Sequence, residues 1–195
     1  MSKIAVLTND LQHDLVNKNQ ERIDAVDKST PVFSQFLNDI RERGHHVLHL
    51  QLINLEDDPV AERYEGGHLP VQKGTKGAEI LPVFLHESDI LVEKNKDSGF
   101  YETDLHDRLQ NLGVETVIVT GMQSQICVQT TAADAFFRGY NVWVPSDCVV
   151  SARDHDRIRA LEWLEGYCAT VQTSSEIIGL LDETGELPRK VFLTP

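Results

Sequence analysis

Long apolar runs are missing from this sequence. No stretch approaches the roughly 20 residues that a membrane-spanning helix needs, and no apolar h-region follows Met1, so neither a span nor a secretory leader is expected. Cations are in short supply: 18 Lys and Arg stand against 31 Asp and Glu, a formal net charge of −13. That balance disfavours nucleic-acid backbones and anionic membranes as partners. Cysteine is scarce as well. Cys127, Cys148 and Cys168 are odd in number and far apart, which is no disulfide framework and points to a reducing cytoplasm. Repeats, low-complexity tracts and a splitting linker are also lacking, so residues 1–195 are expected to form one domain with a core that needs no staples.

What the sequence does hold is an alternation of two periodicities. Ile4-Ala5-Val6-Leu7 is a continuous apolar run that Thr8-Asn9-Asp10 breaks, the pattern of a central strand ending at Asp10. Further strands are predicted at 46–52, 89–94, 117–119, 141–144 and 169–173. Between them, Ser29-Thr30-Pro31 predicts a helix start, with Phe33, Phe36, Leu37 and Ile40 on one face and Gly44 closing it. Thr103 is expected to cap a helix carrying Leu105, Leu109 and Leu112. Val128, Ala132, Ala135 and Phe136 mark another helix, Ile158, Leu161, Leu164 and Cys168 a third, and Ser174 or Ser175 is expected to cap a last one. The fold class is therefore α/β: a three-layer, Rossmann-like arrangement around a mostly parallel six-stranded sheet. Residues 53–88 are irregular and rich in Gly, Pro and charge, and are expected to cover a substrate.

Asp10, Lys94 and Cys127 each follow a different strand at its carboxyl end, so topology puts them on one rim, where ligands of parallel sheets bind. A thiol needs a proton acceptor, which a carboxylate with a raised pKa supplies, and a lysine can hold that carboxylate. Cys127 also falls in the first turn of its helix, where orphan N–H groups and the dipole favour a thiolate. Each residue has a plainer role available: a buried small hydrophobe, a turn cap, a solvated strand end. Together they make a workable acid, cation and nucleophile.

The same residues resemble the isochorismatase-like cysteine hydrolases, over nearly the whole chain. AVLTNDLQHDL is similar to that family's strand followed by Asp-x-Gln, KGTKGAEILPVF to its Gly-Thr-x-Gly segment, and VEKNKDSGFYETDL to its Lys-x-x-x-Ser-Ala-Phe block, with Gly99 replacing the common alanine. VTGMQSQICVQTTAADAFFRGYNVWVPSD resembles its nucleophile block. The resemblance implies catalytic Asp10, Lys94 and Cys127, a non-proline cis peptide at Met122-Gln123, and an oxyanion hole built from the N–H groups of Gln123 and Cys127. It also implies a small-molecule substrate and a homo-oligomer, a dimer or tetramer. Phe100, Tyr101 and Gln123 adjoin the matched motifs and are candidate substrate contacts.

Two departures narrow the reading. Nicotinamidases carry an Asp-x-His metal motif after the second strand, where this chain has Gln51-Leu52-Ile53-Asn54, followed by Glu56, Asp57 and Asp58 without an adjacent histidine. No metal and no other cofactor is expected. The cysteine tilts the activity toward a small non-peptide amide or carbamoyl C–N bond, cleaved through a thioester. Vinyl-ether hydrolysis by Asp10 without the thiol, and a non-catalytic binding protein, stay open as alternatives. Cys148 and Cys168 read as packing residues, and His45, His46 and His49 as surface or core histidines rather than ligands. Trp163 and the tail from Pro188 to Leu193 are candidates for an interface with a second subunit.

Overall fold

The computed structural model describes residues 3–59 and 69–191. Its centre is a parallel seven-stranded sheet: β1 (Lys3–Asn9), β2 (His46–Leu52), β3 (Ile90–Lys94), β4 (Val114–Met122), β5 (Asn141–Pro145), β6 (Val149–Val150) and β7 (Thr170–Gln172). Six of them run in the order β3-β2-β1-β4-β5-β7, and β6 pairs with the end of β4 through Gly121↔Val149 and Met122↔Val150. The six strands expected from the sequence are all there, and the seventh escaped because two residues carry no periodicity. Ala5, Val6, Leu7, Val117, Ile118 and Val119 are buried completely, as strands covered on both faces require.

The helices are α1 (His13–Val16), α2 (Gln20–Glu42), α3 (Leu105–Asn111), α4 (Gln129–Phe137), α5 (Asp154–Tyr167) and α6 (Ser174–Thr184). One apolar cluster joins the sheet to α2 and α6 through Phe33, Phe36, Leu37, Ile40, Ile177 and Leu181. The other joins it to α3, α4 and α5 through Leu105, Leu109, Val128, Ala132, Ala135 and Leu164.

Helix α2 corrects the expected start at Ser29. Its cap is Asn19, whose side chain accepts from the Arg22 N–H at 3.0 Å, and Pro31 lies inside. An internal proline costs a helix about 3 kcal/mol. Burial of Val26, Phe33, Phe36, Leu37 and Ile40 along one face outweighs it. The last helix is capped by Thr173 rather than by either serine, with Glu176 completing a reciprocal capping box. In front of α3, Thr103 accepts from the Leu105 N–H, while Asp104 holds the cap position itself.

His49 settles as a core histidine. It is buried between Thr8 Oγ1 at 2.6 Å and Asp89 Oδ2 at 2.9 Å, and Arg41 forks onto the same carboxylate. Cys148 and Cys168 are buried in the two apolar clusters, and all three cysteines are free. Among the described residues no helix is long and apolar enough to cross a membrane. Of the segment expected to cover a substrate, 60–68 lies outside the described residues, as do Phe192 and Leu193 of the tail.

Candidate active site

The strand order reverses between β1 and β4, and the two chain ends leaving that switch point carry most of the site. Asp10 follows β1 directly, with a left-handed backbone (φ 57°) that Asp tolerates better than most side chains. After β4 the Met122-Gln123 peptide is cis, as the family resemblance implied, and Ser124–Val128 form one π-helical turn that runs into α4. Gly121 makes the junction possible. A Cβ there would collide with the backbone of Asn9, so only glycine lets the ends of β1 and β4 come this close.

Lys94 ends β3, two strands away from β1. Strands lie about 4.8 Å apart, so the gap calls for the longest aliphatic stem available. Its Nζ donates to Asp10 Oδ2 at 3.0 Å and to the carbonyls of Lys96 and Asp97 at 3.2 and 2.9 Å. Asp10 and Lys94 keep only 2% and 1% of their surface. The second carboxylate oxygen, Asp10 Oδ1, is buried with no hydrogen-bond partner.

Burial pushes the Asp10 carboxyl upward, and the attraction of Lys94 and the thiol of Cys127 only partly offset it. Burial works against the Lys94 ammonium too, but Asp10, Cys127 and Asp97 outweigh it and keep the lysine cationic. Cys127 itself is 7% exposed, and burial followed by the field of Asp10 drives its thiol well above the ordinary range, with Lys94 opposing. This corrects the expectation of a helix-stabilised thiolate. The cysteine sits in a tight π turn beside a carboxylate, where burial and the negative charge of Asp10 favour the thiol over the thiolate.

Three polar residues that sequence reading gave no role shape this rim. The Gln12 amide donates to the carbonyls of Leu52 and Ala78, both at 2.8 Å, and its oxygen accepts from the Leu52 N–H at 2.8 Å. Asp14 accepts from Val71 N–H at 2.8 Å, and a Cβ on Gly77 would strike its carboxylate. These contacts explain the Asp-x-Gln and Gly-Thr-x-Gly segments as one clamp across the irregular region. The third is Asp97, whose Oδ1 lies 3.6 Å from Cys127 Sγ. An acid between Lys94 and Ser98 was its only signal.

Of the candidate substrate contacts, Phe100 is buried, with its ring centroid 6.0 Å from that of Tyr140 and Arg138 over its face. Tyr101 is exposed. The Gln123 amide, turned so that both its ends are satisfied, accepts from Arg22 Nε at 2.8 Å and Nη2 at 3.2 Å. Beside it opens a cavity of 370 Å³ lined by Arg22, Gln123, Gln125, Ile126, Ala152 and Arg153 among others. Among the described residues no three His, Cys, Asp or Glu side chains cluster as metal ligands would. Where nicotinamidases have their metal motif, Ile53 is buried and Asn54 donates to the Pro70 carbonyl, a donor set that does not fit a metal.

Comparison with known proteins bears on the family and the fold. The isochorismatase domain model matches residues 4–176. The YaaI protein of Bacillus subtilis, an uncharacterised isochorismatase family protein, is 41% identical over 101 residues, 51% of this chain and 54% of that one. The chain thus spans about half the length of that curated relative. Among solved structures, an isochorismatase-like hydrolase from Alkaliphilus metalliredigens shares 28% identity with a TM-score of 0.78, covering 91% of this chain and 98% of its own. N-carbamoylsarcosine amidase from Thermoplasma acidophilum shares 28% with a TM-score of 0.77, over 88% and 96%. With a family match over most of its length, and with hydrolases, an amidase included, among the structures it resembles, the chain belongs to the isochorismatase family.

Proposed function

We propose that the protein is a cysteine hydrolase of small non-peptide amides or carbamoyl compounds, with Cys127 as nucleophile, Asp10 as general base and acid, and Lys94 holding Asp10. The observation that carries this reading is the buried Asp10 Oδ1, which has no geometric hydrogen-bond partner, on a carboxylate that neighbours the Cys127 thiol. A satisfied carboxylate cannot take a proton readily, and this one has an unoccupied lone pair and a raised pKa.

Proton transfer from Cys127 Sγ to Asp10 accompanies attack of the sulfur on the carbonyl carbon, because a standing thiolate is unfavourable here. The N–H groups of Gln123 and Cys127 receive the oxyanion. Protonated Asp10 passes its proton to the nitrogen as the C–N bond breaks, leaving a thioester and a free amine. Water, deprotonated by Asp10, then attacks the thioester carbonyl, and the proton returns to sulfur as the acid leaves. Lys94 stays charged throughout and keeps the Asp10 carboxylate aimed. Tyr101 and Gln123 serve as rim contacts to the substrate, and Phe100 supports them from the core side.

Two coarser matters follow the same reading. The free, buried cysteines suit a reducing cytoplasm. Phe137, Trp163 and Tyr167 form an exposed aromatic patch, with Phe137 68% exposed and the Trp163 and Tyr167 rings 5.1 Å apart, which supports a homo-oligomer. Light scattering should give at least twice 22.0 kDa, and a clean monomer would overturn that part.

The deciding experiment is hydrolysis of a panel of small amides, ureides and isochorismate by the wild type and Cys127→Ala. Ammonia or amine release that vanishes in the alanine variant is expected. Undiminished turnover of isochorismate by that variant would replace thiol chemistry with ether hydrolysis by Asp10.

A further inference from the structure

One charged group at the site has no part in the mechanism above. Asp97 lies on the loop after β3, with Oδ1 3.6 Å from Cys127 Sγ. Its backbone is fixed from both sides. Lys94 Nζ donates to the Asp97 carbonyl at 2.9 Å, and the next residue, Ser98, donates to Asp134 Oδ2 on α4 at 2.8 Å. Gly99 N–H then donates to Thr131 Oγ1 at 3.0 Å, so the loop is stitched to the helix that follows the nucleophile. The carboxylate therefore holds its place beside the sulfur without any contact to spare for it.

Charge around the site is otherwise balanced. Asp10 is matched by Lys94, Lys96 pairs with Asp58, and Arg153 pairs with Asp156. In the neighbouring cavity Arg22 and Arg153 face Glu21 and Asp156. Among the described residues Asp97 forms no ion pair, and it is exposed while the thiol it touches is buried. The nearest cation acting on it, Lys94, is shared with Asp10, so Asp97 is an exposed carboxylate without a cation of its own, in contact with the proposed nucleophile.

Resting on the reading of Cys127 as nucleophile, we infer that Asp97 sets specificity by pairing with a cationic nitrogen of the substrate, so that preferred substrates are small amides or carbamoyl compounds with a positive charge near the scissile carbonyl. The distances allow such a substrate. A carbonyl carbon poised for attack sits roughly 3–3.5 Å from sulfur, and a nitrogen bonded to a carboxylate oxygen lies about 2.8 Å from it. With that oxygen 3.6 Å from the sulfur, the two substrate atoms lie at most about 10 Å apart, within the span of a small molecule.

The pairing has a second effect. The charged groups acting on Cys127 are Asp10 after β1, Lys94 at the end of β3 and Asp97 on the following loop, and Asp97 is one of those that hold the thiol up, after burial and Asp10. A substrate cation on Asp97 cancels that contribution at the moment the proton has to leave. A neutral amide gives no such relief.

The test compares the wild type with Asp97→Asn and Asp97→Glu. The thiol is first labelled at Cys127 by a cationic reagent, aminoethyl methanethiosulfonate, and by its neutral analogue, methyl methanethiosulfonate, with peptide mapping to confirm the site. The cationic-to-neutral rate ratio should fall about three- to fivefold in Asp97→Asn, the scale of a partly exposed ion pair, and be largely retained in Asp97→Glu. Labelling by neutral iodoacetamide should meanwhile move to lower pH in Asp97→Asn. Hydrolysis of glycinamide against its neutral isostere propionamide then gives a kcat/KM ratio that should drop by a similar factor. A labelling ratio unchanged in Asp97→Asn, with both reagents faster or slower together, would overturn the inference and leave Asp97 a loop residue. Loss of the ratio accompanied by hydrolysis that survives Cys127→Ala would instead uphold the cation site and reject Cys127 as nucleophile.

Discussion

Two aspartates whose side chains are buried in this protein each meet a cation, and they have opposite characters. Asp89 is saturated: its two oxygens accept from Arg41 Nε at 3.0 Å, Arg41 Nη2 at 2.7 Å, His49 Nε2 at 2.9 Å and the His86 N–H at 2.9 Å. Burial alone would raise its pKa, but the bonds and charges of His49 and Arg41 win and hold it below the usual carboxylate range. Asp10 has one lysine on one oxygen and no geometric hydrogen-bond partner on the other, and there burial wins over the attraction of Lys94 and the Cys127 thiol. A carboxylate with every lone pair taken is mortar between β2, β3 and α2. One left half-satisfied in a buried site is fitted to the part of a reagent, the role proposed for Asp10.

The comparison breaks most sharply through function. Asp10→Asn should lower amide turnover by at least about 10²–10⁴-fold, the usual worth of a positioned general base, while Asp89→Asn should leave kcat/KM within about twofold. Steady-state kinetics on one active amide checks both, and equal losses would erase the distinction. Next in size is stability. Asp89→Ala strands Arg41 and His49 in a nearly closed site and should cost about 3–5 kcal/mol in urea unfolding.

A smaller effect sharpens the contrast through pH. The folded pKa of Asp89 is depressed, so its contribution is fully present above the unfolded value of about 3.9 and is lost as pH falls through the folded value. The stability gap between wild type and Asp89→Asn should therefore be widest near neutrality and close toward pH 2–3. A gap that widened with acid would reverse the assignment. The slightest response expected is to chelation. Prolonged EDTA treatment should leave turnover unchanged, and loss rescued by zinc would mean that the segment after β2 had been misread.

Labelling by limiting iodoacetamide should rank Cys127 above Cys148 and Cys168. The latter two are almost fully buried, and burial pushes Cys168 up to about 11. The rate at Cys127 should still be modest in the free enzyme, since its thiol is held protonated.

How much of this was legible in the sequence depended on range. Strand β1 is buried on both faces, and such strands announce themselves as continuous apolar runs, so Asp10 could be placed at a strand end for that reason alone. Lys94 ends β3, an edge strand whose exposure alternates, and its mark was the short Ile90-Leu91-Val92 run. The start of α2 was misplaced because a proline at 31 outvotes everything local, whereas the deciding term is burial of Phe33, Phe36 and Ile40 against distant strands. The same gap explains the thiol. A helix start is visible in sequence, but the desolvation of Cys127 and the closeness of Asp10 are tertiary facts. Asp97 looked like an ordinary acid in a chain that has 31 of them, and only its distance to sulfur sets it apart.

Gly121 carries a consequence for how this enzyme tolerates change. Any side chain there meets the backbone of Asn9, and the only relief is to part β1 from β4 at their ends. Those ends bear the two partners of the proposed proton transfer, on which a displacement of about 1 Å can cost a hundredfold in rate. Much of the sheet would remain paired through Ala5, Val6 and Leu7 while the spacing between Asp10 and Cys127 was lost. Position 121 thus works as a gauge block between base and nucleophile, a place where a single methyl group would silence the chemistry in a protein that still folds.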